Sequence, residues 1–148
     1  MESRAFKALI GEIAGAHGFK SAHGAWYQEL PIALFTLNLQ KSNFGNYFDL
    51  NLKLFLRRTI PRGPGEMKRL LKGLTGDIFR SQPPECRRAF DLDEPLGVEE
   101  RREIIDQMFK DLVDRIARAS VAADGILDLR DQGILFLLPG IEARLKAG

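Results

Sequence analysis

The sequence predicts a single α+β domain: a mostly antiparallel sheet of four to six strands with helices packed on one face. Three observations predict it. Residues 32–41 and 47–56 alternate apolar and polar side chains with a period of two, the signature of half-buried strands. The five residues between them, Ser42-Asn43-Phe44-Gly45-Asn46, are too few for a parallel crossover, so the pair is antiparallel. Two other segments, 3–17 and 98–120, repeat their apolar residues at helical spacing. A chain of 148 residues fits one hydrophobic core better than two.

Each element follows from local chemistry. In 3–17, Phe6, Leu9, Ile10, Ile13, Ala14 and His17 share one helical face, with Ser3 as the expected N-cap and Gly18 as the left-handed residue that ends the helix. The period then drops to two. Residues 20–22 and 25–29 read as the arms of a hairpin turning at His23-Gly24, and Pro31 ends the second arm. The long strands place Phe35, Leu37, Leu39, Phe48, Leu50 and Leu52 on one face, which must be covered. Thr36, Asn38, Gln40, Asp49, Asn51 and Lys53 share the other, expected to be solvated. Residues 57–66 read as a loop, and Met67, Leu70, Leu71 and Leu74 suggest a short helix ending near Gly73 or Gly76. Residues 77–81 and 86–92, separated by Gln82-Pro83-Pro84-Glu85, are expected to add a second hairpin to the sheet. The strongest helix is 98–120, with Ile105, Met108, Phe109, Leu112, Val113 and Ile116 as its stripe. Its acidic start and basic end suit the macrodipole. Beyond Asp124 a short helix closed by Gly133, an apolar stretch 134–138 and a last helical turn from Pro139 complete the reading.

Composition excludes several function classes. Lys plus Arg number 22 against 20 Asp plus Glu, an excess too small to argue for nucleic acid. No apolar run reaches the roughly 18 residues of a membrane span, and the N-terminal segment, with Glu2 and Glu12, lacks the apolar core of a signal peptide. The single cysteine, Cys86, permits no intramolecular disulfide and points to a reducing cytoplasm.

The order Gly18-Phe19-Lys20, Trp26-Tyr27, Asn38-Leu39-Gln40-Lys41-Ser42, Phe44-Gly45 and Tyr47-Phe48-Asp49-Leu50-Asn51-Leu52 resembles the bacterial family catalogued as domain of unknown function 4304, over residues 1–56. The resemblance implies a small bacterial, cytoplasmic α+β domain with no activity, cofactor or catalytic residue to carry over. It also opens an immunity-type role beside a bacterial toxin.

Two candidate sites emerge. Asn38, Gln40, Asp49, Asn51 and Lys53 project from adjacent strands within cross-strand spacing, and amides supply both donors and acceptors for a polar ligand or another protein. Asn and Asp are poor strand formers, so their presence there works against local propensity. The alternative is a solvated face whose amides bond one another and water. Second, residues 53–72 carry seven cations and one anion, with Arg57, Arg58, Arg62, Lys68 and Arg69 as an anion-binding candidate beside Gly63-Pro64-Gly65. Residues 91–114 carry nine anions against three cations. The two blocks either face each other, within the chain or across a homodimer, or leave one surface for a charged partner. His17 and His23 are too few and too isolated for a metal site, and His17 is expected to pack at its helix end. No cofactor motif and no catalytic constellation is present. The reading is a non-enzymatic binding or interaction module; its alternatives are a toxin inhibitor acting through 91–114 and an enzyme with an unrecognised site.

Overall fold

A computed structural model describes residues 1–57, 65–73 and 75–147. The chain opens with α1 (Ser3–Ala16), whose Phe6, Leu9, Ile10 and Ile13 are buried as their spacing requires. Glu2, rather than Ser3, is the N-cap residue, and no side chain caps this end. The Ser3 hydroxyl instead accepts a bond from Lys41 Nζ at 3.3 Å. At the other end Gly18 adopts φ +89°. There Gly18 N–H bonds Gly15 O and Phe19 N–H bonds Ala14 O, the two bonds of a Schellman cap.

A six-stranded antiparallel meander follows in strict sequence order: β1 (Lys20–Ala22), β2 (Ala25–Glu29), β3 (Ala33–Lys41), β4 (Phe48–Leu56), β5 (Ile78–Ser81) and β6 (Phe136–Leu137). His23 and Gly24 both take positive φ between β1 and β2, as a two-residue turn matched to strand twist demands. In the central pair Phe35 faces Leu54, Leu37 faces Leu52 and Leu39 faces Leu50. That register puts every large apolar residue of the predicted inner face on one side of the sheet. The helices lie on that side. Alongside α1 are α3 (Arg87–Phe90), α4 (Val98–Met108), α5 (Asp114–Ala119), α6 (Ala123–Asp131) and α7 (Ile141–Lys146). Each contributes residues to one core with the sheet, among them Phe90, Ile105, Ile116, Leu129 and Leu145. Burying each large side chain contributes about 1.5–3 kcal/mol.

Three features depart from the sequence reading. The expected hairpin of 77–81 with 86–92 does not form. Pro83 and Pro84 lead into a 3₁₀ turn (Pro84–Cys86) and then α3, because proline suits the first helical positions and cannot donate to a ladder. β5 pairs instead with β4 and β6, and only an isolated bridge joins Tyr47 to Asp91. Second, helix 98–120 is continuous but not uniform: a π turn over Phe109–Val113 joins α4 to α5. Third, the short helix α2 (Glu66–Lys72) lies on the opposite face of the sheet from the others. Its Leu70, with Met67, packs on Leu34 and Phe55, forming a small second core that includes Tyr27. Leu34 and Phe55 are the apolar exceptions on the otherwise polar strand face. They were the visible sign that something would cover that end.

Candidate functional site

The face predicted to carry the site is built in cross-strand rows: Leu34 opposite Phe55, Thr36 opposite Lys53, Asn38 opposite Asn51, Gln40 opposite Asp49. With α2 on its first two rows, only the far half stays open. Thr36 is fully buried and Asn38 is 7% exposed. The Thr36 hydroxyl and the Asn38 side-chain oxygen have no hydrogen-bond partner among the described residues.

Lys53 belongs to the covered half. It is 1% exposed, and its ammonium donates to the carbonyls of Leu70 (2.7 Å), Leu71 (3.2 Å) and Gly73. These are the terminal carbonyls that a helix cannot satisfy itself, so Lys53 caps the C-terminus of α2 from beneath, where the macrodipole favours a cation. Burial pushes its ammonium down to about 8. Its place is therefore a helix cap, not a ligand contact. Lys53→Met should change global stability by less than about 1 kcal/mol, since removing a desolvated charge offsets the lost bonds. Amide protection in the last turn of α2, read by hydrogen exchange, should fall about tenfold.

In the open half, Gln40, Asp49 and Asn51 are half-buried, and Asn51 Nδ2 donates to Gln40 Oε1 at 3.4 Å. Beside them, Gln82 substitutes its side chain for a strand. Its Oε1 accepts from Leu50 N–H at 2.7 Å, and its Nε2 donates to Phe48 O at 3.2 Å. Proline at 83 and 84 could not have continued that ladder. The result is a shallow cleft of about 350 Å³ lined by Tyr47, Asp49, Ser81, Gln82 and Arg87. The Arg87 guanidinium sits 5.0 Å from the centroid of the Tyr47 ring, a cation–π contact that holds it beside the cleft.

The described members of the basic candidate, Arg57, Lys68 and Arg69, take separate places. Arg57 donates through Nε to Leu30 O at 2.8 Å, at the end of β4. Arg69 is paired with Glu66 at 2.6 Å on α2, and Lys68 is exposed on the same helix. Arg58 and Arg62, with Gly63-Pro64, lie outside the described residues. Among the described residues, the ion pairs of the acidic block run to His17, Arg102 and Lys110, and none reaches Arg57, Lys68 or Arg69.

The sequence reading packs His17 at its helix end without charged partners and misses Arg101 altogether. His17, the C-cap residue of α1, bonds Asp106 Oδ1 through Nε2 at 2.9 Å and Asp114 Oδ2 through Nδ1 at 2.9 Å. A neutral imidazole has one N–H and cannot donate to both carboxylates; the imidazolium can. Burial pulls the ring's pKa down, but the hydrogen bonds and charges of the two aspartates outweigh this and raise it above 6.5. The π turn makes the grip geometrically available. Eight residues of α-helix would rotate Asp114 about 80° past Asp106. The extra residue of a π turn absorbs that rotation and stacks the two carboxylates on one face, two turns apart. Arg101 is 1% exposed and spans the carbonyls of Ala89, Asp91 and Glu94. Its position within an acidic run gave no hint of burial.

Among the described residues, no group of three or more His, Cys, Asp or Glu is placed to hold a metal ion, and no helix is long and apolar enough to cross a membrane. No protein-family profile, curated protein or solved structure matches the chain.

Proposed function

We propose that this chain is a non-enzymatic binding module of the bacterial cytoplasm, and that it takes a polar small ligand at the open half of its sheet. One observation carries the reading: Asp49, Gln82 and Arg87 converge on one cleft beside the half-buried Gln40 and Asn51. A carboxylate on β4, an amide just beyond β5 and a guanidinium on α3 suit a ligand that offers a donor to Asp49 and an acceptor to Arg87. Gln82 is immobilised by two backbone bonds and Arg87 by the Tyr47 ring, so part of the ordering cost is met before a ligand arrives. The bacterial, cytoplasmic setting rests on the sequence motifs of residues 1–56, which bring no activity with them.

The test is retention of small molecules from the host lysate by the intact protein, identified by native mass spectrometry. The wild type should hold a polar ligand that the double variant Asp49→Asn, Arg87→Gln loses, with affinity reduced at least about a hundredfold. Equal retention by both proteins would overturn the assignment.

A second reading, inhibition of a toxin by charge complementarity, is supported by Glu100 and Glu103. Both are exposed on α4 without a salt-bridge partner among the described residues, whereas Asp106 and Asp114 are committed to His17. Charge reversal at Glu100 and Glu103 would abolish that inhibition and leave ligand retention intact.

A further inference from the structure

On the inner side of the sheet, away from the polar cleft, a groove of about 560 Å³ opens where the β2–β3 turn and the end of β4 meet the α5–α6 turn and α7. Its size falls within the roughly 300–1,000 Å³ of small-molecule pockets. Ile32, Leu56 and Leu145 form apolar walls. Ala122 and Ala123 supply only methyl groups opposite them, which leaves the volume unfilled. Val121 on the same turn is 50% exposed, an apolar side chain facing water at the groove.

The polar lining is one-sided. Among the described residues it holds two guanidiniums, Arg57 and Arg144, and no carboxylate. Arg102 is paired with Glu12, Arg130 with Asp131 and Glu142, and Arg69 with Glu66. Arg57 and Arg144 have no such pairing among the described residues. Arg57 is anchored through Nε to Leu30 O at 2.8 Å, and its two terminal amino groups have no partner among the described residues. The Arg144 side chain has none either and is exposed. An anchored, unneutralised guanidinium with a second one beside the same apolar groove matches a ligand with a planar anionic head and an aliphatic tail. Guanidinium and carboxylate geometries fit in a bidentate manner, and each buried methylene adds to affinity.

We propose that this groove binds a free medium-chain acyl carboxylate, with its head between Arg57 and Arg144 and its chain along Ile32, Leu56 and Leu145. This site is separate from the polar cleft and does not depend on it.

The test is calorimetric titration of the intact protein with sodium octanoate, decanoate and dodecanoate below their micelle concentrations, with decyltrimethylammonium as the same chain bearing the opposite charge. Saturable binding of one decanoate per chain is expected. Affinity should rise about fourfold per added methylene, and decyltrimethylammonium should show no saturable binding. Arg144→Gln removes a side chain with no structural bond and should weaken decanoate about tenfold. Ala122→Trp, an exposed position, should abolish binding by filling the groove. Circular dichroism melts confirm that both variants fold. The proposal fails if decanoate gives no saturable heat, if the cationic amphiphile binds equally well, if affinity is indifferent to chain length, or if both variants bind as the wild type does.

Discussion

Arg101→Ala is expected to lower the free energy of unfolding by about 3–5 kcal/mol, a large fraction of what a domain of this size possesses. The side chain is almost wholly buried. Through one terminal nitrogen it reaches Ala89 O at 2.7 Å and Asp91 O at 2.9 Å, and through the other Glu94 O at 3.0 Å. Ala89 lies in α3, a helix of four residues, Asp91 is its C-cap residue, whose carbonyl also accepts from Glu94 N–H at 3.2 Å, and Glu94 lies in the loop beyond. Arg101 is thus the cap of α3 supplied from the first turns of α4, and it ties both to the loop between them. Burial lowers its pKa, while the carboxylates of Asp91 and Glu94 act in the opposite direction; a guanidinium stays charged throughout. Truncation removes a charged donor from three carbonyls, the one at Ala89 buried, and opens a cavity where the stem was. Arg101→Lys keeps the charge but replaces a planar fork with a point donor, so it should recover less than half of the loss. Urea unfolding of the three proteins measures this, and a loss below about 1 kcal/mol for Arg101→Ala would show that water satisfies those carbonyls instead.

The contrast between what was legible in the sequence and what was not has a physical basis. Strands β1 to β4, α1 and the Gly18 cap follow from period, turn chemistry and handedness, all local properties that a few residues encode. Periodicity reports which face of an element is apolar. It does not report which element covers it. Leu34 and Phe55 interrupt a polar face, and α2 answers them from a position more than ten residues away in the chain. That single packing event converts Lys53 from a surface cation to a helix cap; with Asn38 itself buried, Gln40, Asp49 and Asn51 are the accessible members of the predicted site. The 86–92 error is different in kind. Cys86, Ala89 and Phe90 already have helical spacing, but the flanking pattern suggested a strand, and the two prolines decided the matter by starting a helical turn. The π turn has no signature in the apolar stripe, since Ile105, Met108, Phe109, Leu112, Val113 and Ile116 fit a helix with or without it. Its trace lies in the spacing of Asp106 and Asp114, which makes sense only once His17 is seen between them.

That imidazolium makes stability depend on pH with a definite sign. The folded-state pKa of His17 is raised above 6.5. Its contribution is therefore fully present below that value and is lost as pH rises through the raised one, because the folded state then gives up a proton that the unfolded chain has already released. The Asp106 carboxyl, hydrogen-bonded by His17 and Lys110, is held below 3.8. Its contribution is present above 3.8 and is lost as pH falls through the lowered value. The cluster is most stabilising between these limits, in a window that takes in pH 5 to 6. Lys53, held near 8, works in the opposite direction at higher pH: the unfolded chain binds the extra proton, so its unfavourable contribution fades from about 8 upward. The two effects are separated by comparison with His17→Gln, whose amide can donate to only one of the two carboxylates at a time in this geometry. At pH 5.5 His17→Gln should be less stable than the wild type by about 2–3 kcal/mol, the range for losing a hydrogen bond to a charged group at a half-buried site. By pH 9 the gap should have narrowed to less than about 1 kcal/mol, because the neutral imidazole can itself donate to one aspartate only. Asp114→Asn should reduce the slope without abolishing it, since Asp106 still holds Nε2. Urea midpoints across pH 5 to 9 decide the matter: wild-type and His17→Gln curves that stay parallel would mean that the ring is neutral in the folded state and that the two carboxylates do not share a cation.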